Sequence, residues 1–450
     1  MKERNYEELN YFAHWTRRGF LKQTGLWAGA GLLQPVLSLI GEGKSIAAAY
    51  PDEVLSIEKY TKGRVKPGMV ISKGNADLVK DLCPEGLYIE LTRGREIKIA
   101  ETTLQPDAFV SKKWIELTLR NKGKAVLTSK GQLLTNDGNP WIGGDPFPEA
   151  NTALQVMWNH FFNFSRVDDY LVPYYALNVD SNGIVVRRAA GYTAEIALVG
   201  RATVAPMPYI PAYKQYLKMN VLTVLEPFDS YGFSIVNKVP YDQSLLPEAL
   251  AYIPTLRRVR RLPSTQRFES TSPYSTDFIS DYGCQNDPLL TWTWALIGRK
   301  PMLYPASTNR AIFEKESNKE GFNLPIVEAK FPRSTWELRP DVFIIEGRPQ
   351  LAGVPYSRKL LYVDAILGRA ACADTFDMAG KLWKWMAFLA GPTVEGATNM
   401  QALFFADVQR DYRTNYWQPP ALGRIKFTVN SGLTVEDWMS ERALLQRAIR

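Results

Sequence analysis

Along most of the chain, apolar and polar residues alternate in short runs, and that alternation predicts strands. Segments 97–103, 114–119, 183–188, 221–225, 290–297 and 342–346 read this way. The clearest case is 358–389. There, 359–364 and 369–374 are joined by a tight turn at Leu367 and Gly368, and a second turn at 377–380 leads into 381–388. This predicts a three-strand antiparallel meander with local connections. Helical periodicity is scarcer. Segment 75–83 reads as a short helix capped by Asn75 and ended by Pro84-Glu85-Gly86, and 149–162 as a second. Segment 434–450 reads as a third, with a capping-box-like start at Thr434 and Asp437 and basic Arg442, Arg447 and Arg450 toward its end. Segment 136–148 is dense in turn formers and reads as a loop, and Lys66-Pro67-Gly68 as a turn. Neither a fixed-period repeat nor a low-complexity block stands out. The predicted fold class is α+β, mainly β: a large antiparallel sheet partly covered by helices, not a doubly wound parallel sheet.

The first 49 residues follow a different pattern. Thr16-Arg17-Arg18-Gly19-Phe20-Leu21-Lys22 places a polar residue, two arginines, Phe, Leu and Lys in the order of a twin-arginine export signal. Such a signal is an address read by a receptor, with Arg17, Arg18, Phe20 and Leu21 as the recognised residues. The apolar stretch 26–40 is broken by Gln34 and Pro35 and is too short for a membrane span of about 20 residues. Ala47-Ala48-Ala49 then forms a small-residue cleavage site. A chance Arg pair on a cytosolic N-terminus is the alternative, but the ordered series favours export. No cysteine lies near the site, which argues against a lipid-anchored product. The expected organisation is a signal peptide at 1–49 cleaved after Ala49, a leader at 50–66 and one domain at 67–450. The expected location is the periplasm.

Composition narrows the function classes. The chain is 46% hydrophobic and 22% charged, enough to bury a core. Aromatics reach 12%, with 12 Trp and 22 Tyr, which suits sheets and apolar binding surfaces. The signal carries six basic and four acidic residues, so the mature chain keeps +6 of the total +8. That mild charge fits weak attraction to anionic lipid head groups, and the compartment argues against nucleic acid. The three cysteines, Cys83, Cys284 and Cys372, allow one disulfide at most.

Catalytic chemistry is sparsely represented. Histidines are His14 and His160, and export removes His14. A multi-His metal site is therefore ruled out, and His160, among aromatic neighbours, reads as structural or surface. No CxxC pair, GxSxG elbow or phosphate-cradling GxxxxGK loop is present. Acidic residues are plentiful, but no carboxylate pair stands out. The expectation is no enzyme, no cofactor and no metal.

Two features could touch a ligand. Arg257, Arg258, Arg260 and Arg261 flank Val259, and four guanidinium groups could grip phosphate or carboxylate. An extended strand would put Arg258 and Arg260 on one face and Arg257 and Arg261 on the other. The competing reading is a solvated strand edge that discourages aggregation. Trp292 with Trp294, and Trp383 with Trp385, put alternate aromatics on one sheet face, as core or as cavity wall.

From about Lys66 onward these pieces resemble a known family. They are Lys66-Pro67-Gly68 with Val70-Ile71 and Asn75-Ala76-Asp77-Leu78-Val79; Gly144 with Pro146-Phe147-Pro148, and Trp158-Asn159; and Tyr252, Pro254 and Arg257-Arg258-Val259-Arg260-Arg261 with Pro263. Then come Trp292, Trp294, Leu296, Gly298 and Lys300; Arg339-Pro340, Val342 and Glu346-Gly347; and Pro355-Tyr356-Ser357-Arg358-Lys359 with Leu361-Tyr362 and Asp364. Together they resemble the periplasmic domain-of-unknown-function family thirteen twenty-nine, whose members look like relatives of the LolA/LolB lipoprotein-sorting proteins. The resemblance implies a strongly curved, unclosed half-barrel with helices over its concave face and an apolar cavity between. It also implies an RND-type exporter and an outer-membrane protein as partners. The expected function is then a non-catalytic carrier or adaptor for a lipid or other hydrophobic molecule. The alternatives are a cofactor-containing oxidoreductase, since twin-arginine export often serves proteins folded around a cofactor, and a purely structural envelope adaptor.

Overall fold

Two meanders, each in chain order, join edge to edge to make the main sheet. The computed structural model describes residues 44–104, 111–163, 167–270, 275–305, 326–327, 331–332, 334–392, 398–408, 413–418 and 428–449. Arg17, Arg18, Phe20 and Leu21 lie outside the described residues. Short pieces come first: α1 (Ile57–Tyr60), β1 (Val70–Ile71), α2 (Glu85–Thr92), β2 (Ile97–Ala100), α3 (Lys112–Asn121), β3 (Ala125–Leu127), β4 (Leu133–Thr135) and α4 (Ala153–Asn163). The first meander is β5 (Asp169–Val179), β6 (Val185–Ala197), β7 (Tyr216–Glu226), β8 (Ser234–Pro240), β9 (Glu248–Ile253) and β10 (Arg258–Leu262). After β11 (Trp292–Tyr304), β12 (Ile326–Val327) and β13 (Phe331–Pro332) comes the second meander. It runs β14 (Ser334–Pro349), β15 (Arg358–Asp364), β16 (Arg369–Phe376), β17 (Leu382–Pro392), β18 (Thr398–Asp407) and β19 (Arg413–Gln418). The chain continues through β20 (Thr428–Val429), α5 (Val435–Trp438) and α6 (Glu441–Ile449).

The meanders meet where β19 pairs antiparallel with β5, Thr414 opposite Val179. The result is a 16-stranded sheet with β10 at one edge and β11 beside β14 at the other. Among the described residues its two edges do not pair, so the sheet is unclosed. Every ladder in it among the described residues is antiparallel except β14 with β2.

Curvature follows from what the strands touch. Phe343, Ile345, Leu361, Ala373 and Met386 of β14–β17 share one apolar core with Leu217 and Val239 of β7 and β8. Strands β18, β19, β5 and β6 separate those two groups within the sheet. They meet through Trp114, Ile115 and Leu117 of α3 and Val156, Met157 and Trp158 of α4. The sheet therefore wraps a helical layer on its concave side, as the expected half-barrel requires. The convex side of β14–β17 is covered too, by α1, α2 and the 3₁₀ turn Ala76–Leu82. With both faces covered, all eight residues of β16 are buried, and these strands read as near-continuous apolar runs.

The predicted 359–388 meander is β15–β17. Residues 114–119, expected as a strand, are helix. Ser111 caps α3 by accepting from the Trp114 N–H, and buried Trp114, Ile115, Leu117, Thr118 and Asn121 form a stripe of helical period. Six alternating residues were too few to separate the two periods. Pro84 ends the 3₁₀ turn as expected, but it also starts α2. The 149–162 helix begins only at Ala153. The single helix expected at 434–450 is two: Thr434 caps α5, and Ser440 starts α6 by accepting from the Ala443 N–H at 3.0 Å. In segment 50–66, Val54, Ile57 and Val65 are buried in the two main cores. Ile46, ahead of the expected cleavage point, is buried as well.

Candidate functional site under the helical roof

Helices α3 and α4, with the loop between β4 and α4, form a roof over the concave face. Gly144 lets the loop lie on α3: a Cβ there would sit 2.4 Å from the Thr118 backbone nitrogen. Asp145 accepts from Trp114 Nε1 at 2.9 Å, and its N–H donates to Thr118 Oγ1. The Asn159 amide closes both polar groups of Phe147. Trp141 is fully buried and donates to the Gly144 carbonyl, while its N–H reaches Tyr241 Oη beyond β8. The roof is thus pinned to the β8 end of the sheet. His160 pins it at the other side: Nδ1 accepts from Ala370 N–H at 3.2 Å, and the ring also bonds Gly283. Burial, and then the Arg369 charge, push this imidazole down to about 3, so it is neutral and structural.

Between these pins lies a cleft of about 30 Å³, between α3, α4 and strands β6 and β7. Trp114, Phe161, Phe162 and Val167 supply apolar walls, and Glu195 and Lys218 pair at 2.8 Å on its sheet side. As drawn, it holds a water-sized guest.

A second cluster sits where the 3₁₀ turn Ile279–Cys284 crosses the second meander. Lys359 of β15 and Lys384 of β17 both reach Asp281, at 3.0 and 3.4 Å, with all three side chains buried. Tyr356 Oη donates to the same carboxylate. Burial works to raise the Asp281 carboxyl, yet the two lysines and Tyr356 hold it below its ordinary value. Burial pushes Lys384 down to about 8 against the pull of Asp281. Phe278, Tyr356 and Trp383 surround the Lys384 ammonium, and Trp292 faces Lys359. Arg267 and Asp287 add a further buried pair at 3.0 Å. These groups clamp segment 275–291 onto the sheet.

The residues singled out from sequence do not converge. Trp292 and Trp294 stack at 5.9 Å, with Trp294 lying over Gly347. Trp383 packs beside Trp292 in the same cluster, but Trp385 does not follow it. The expectation that Trp383 and Trp385 share a face fails because of a bulge: Phe376 opposes Leu382 while Thr375 opposes Lys384, which leaves Trp383 as the extra residue. Trp385 points to the convex side, under Gly86. Arg258, Arg260 and Arg261 stand exposed on edge strand β10, in none of the tryptophan clusters. Arg257 is not in the strand at all: its φ of 48° is left-handed, so it does not share a face with Arg261. Arg261 pairs with Glu248. Sequence reading missed Lys359, Lys384 and Asp281. The signal was a lysine inside an apolar run, as in Trp383-Lys384-Trp385.

Cys83, Cys284 and Cys372 are free, buried thiols. Among the described residues no group of three His, Cys, Asp or Glu is placed to hold a metal, and no helix is long and apolar enough to cross a membrane.

Fold and site define an open antiparallel sheet curled around a helical roof. Residues 70–420 match the family described as Protein of unknown function (DUF1329), and the chain belongs to that family. A DUF1329 family protein from Desulfovibrio piger is similar in structure at 15% identity and a TM-score of 0.42, covering 63% of this chain and 93% of that one. A LolA superfamily protein from Nitrosomonas europaea is similar at 11% identity and a TM-score of 0.38, covering 65% of this chain and all of that one. No curated protein matches the sequence.

Proposed function

We propose that the protein is a non-catalytic periplasmic carrier for a lipid or other hydrophobic molecule, exported by the twin-arginine route. An RND-type exporter and an outer-membrane protein are the partners that the sequence resemblance implies. One observation carries the reading: a small cleft with aromatic and aliphatic walls and one ion pair lies under a helical roof on the concave side of an unclosed sheet. An acyl chain loses about 0.8 kcal/mol per CH₂ on entering water, so crossing an aqueous gap requires shelter. The cleft is too small for an acyl chain as it stands, so loading requires α3 and α4 to lift from β6 and β7.

The test is lipid mass spectrometry on protein extracted from the periplasm, with uptake of a fluorescent fatty acid. Wild type should carry an apolar ligand and take up the probe. Leu217→Trp, which fills the cleft, should weaken uptake roughly tenfold, equivalent to about 1.4 kcal/mol, without unfolding the protein. Absence of both ligand and uptake in wild type would overturn the proposal.

A further inference from the structure

Among the hairpins that turn at one end of the sheet are β5–β6 at 180–184, β7–β8 at 227–233, β9–β10 at 254–257 and β16–β17 at 377–381. Three are neighbours. Ala190 pairs with Glu226 and Ser234 with Tyr252, so these tips stand side by side. Arg187 ties the first to the second, donating to Ser230 Oγ at 3.2 Å and lying 3.9 Å from Asp229. Each tip carries apolar side chains into solvent. Phe228 is 95% exposed, Met378 71% and Ile184 60%, and Tyr231 and Leu256 are exposed beside them. Arg188, Arg257 and Arg258 stand exposed along the same rim.

From this we infer that the hairpin rim docks the protein on a lipid bilayer with anionic head groups. The apolar residues stand singly on separate tips, which suits shallow insertion at several points rather than one contiguous protein interface. Within the 227–233 tip, Ser230, Tyr231, Gly232 and Phe233 donate their N–H groups to carbonyls of the same hairpin. That backbone can therefore enter an apolar layer without losing hydrogen bonds. The arginines supply charge complementarity, since guanidinium groups grip phosphate bidentately. The acidic groups at the rim are engaged or outnumbered. Asp180 accepts from Asn182 and Ile184 N–H, Asp377 accepts from Ala379 and Lys381 N–H, and Asp229 lies against Arg187, while exposed Glu226 faces three exposed arginines and Lys381. This docking rim is independent of the cargo reading.

The test is flotation with vesicles of phosphatidylcholine alone, and of phosphatidylcholine with phosphatidylglycerol. Wild type should float with the anionic vesicles, less so as salt rises. Phe228→Ser should weaken binding roughly tenfold, since burying a Phe ring contributes at least about 1.4 kcal/mol. Arg257→Glu with Arg258→Glu should weaken it further, each lost arginine alone being worth roughly fivefold. Leu245→Ser, an exposed apolar residue between β8 and β9 at the opposite end, should change nothing. Phe228→Trp should add a blue-shifted emission component on anionic vesicles, quenched by brominated lipid. Thermal melts confirm that the variants fold. Failure of wild type to float, or of Phe228→Ser to weaken binding, would overturn the inference. Loss of a protein partner on Phe228→Ser without vesicle binding would also overturn it.

Discussion

The two covers of β14–β17 are built by different rules. On the convex side, α2 is locked to the sheet at close quarters. Gly86 lies so near Trp385 that a Cβ would fall 2.2 Å from its ring. Asp374 of β16 accepts from the Glu85 and Gly86 N–H groups at 3.0 Å each, capping α2 from across the interface. Arg95 stacks over Trp385, pairs with Glu90 and donates to Ser334. On the concave side, α3 and α4 pack into the apolar core, are hydrogen-bonded to the sheet side by His160 and through the Trp141 loop by Tyr241, and border a small cleft over β6 and β7. One cover depends on backbone in near contact with a ring, while the other depends on apolar side chains of α3 and α4 packed on the sheet. The difference teaches that a half-barrel can cover one face by close backbone approach and the other by side-chain packing that leaves a small cleft.

The comparison can be broken first at its clamp. Asp281→Asn should cost about 3–5 kcal/mol in urea unfolding, because it leaves Lys359 and Lys384 buried without their carboxylate. Loss of under a kcal/mol would mean that segment 275–291 is not clamped by charge. Next comes the convex cover. Gly86→Ala should destabilise by about 1–3 kcal/mol, since its new methyl overlaps backbone-proximal atoms of Trp385 that have no room to retreat. The same substitution at solvent-facing Gly353, with its left-handed φ of 84° and nothing within 4 Å, should cost about 1 kcal/mol from backbone conformation alone. If the two cost the same, close packing is not what fixes α2. His160→Phe is a weaker perturbation of the roof pin. It should leave global stability within about 1–3 kcal/mol of wild type, the cost of losing buried hydrogen bonds. Hydrogen exchange in α4 should quicken more than in α2.

These two covers also show what the sequence made legible. The β15–β17 meander was readable because its turns, Leu367-Gly368 and 377–380, bracket runs of strand length. Helix α3 was not, because Trp-Ile-Glu-Leu-Thr-Leu alternates as well as it spirals, and its cap at Ser111 lay just outside the window. The half-barrel itself entered through resemblance to a family. No local period encodes that β7 and β17 share a core. Among candidate site residues, Trp292, Trp294 and Trp383 do gather near the lysine clamp. Trp385 was misplaced because one bulge residue reverses every later side chain, and a bulge leaves no mark in a hydrophobic pattern. Lys359 and Lys384 could have been flagged, but their shared partner comes from a turn about 80 and 100 positions upstream.

The sharpest test of the convex cover is in pH. Burial pushes the Asp374 carboxyl up to about 7, with Glu85 adding to the rise against hydrogen bonds from Tyr362, Gly86 and Glu85. In the unfolded chain an aspartate ionises near 3.9. Between those values the native state therefore holds a proton that the unfolded state has released. Stability contributed here is fully present below about pH 4 and falls as pH rises toward 7, by no more than about 1.4 kcal/mol per pH unit. Urea midpoints measured across that window for wild type and Asp374→Asn should converge at the low end and diverge toward neutrality in their pH slopes, with the variant flatter. Parallel slopes would mean that Tyr362 and the two N–H groups at the start of α2 keep Asp374 ionised throughout. The carboxylate would then be a permanent cap, and the convex cover would be as firmly held at pH 4.5 as at pH 7.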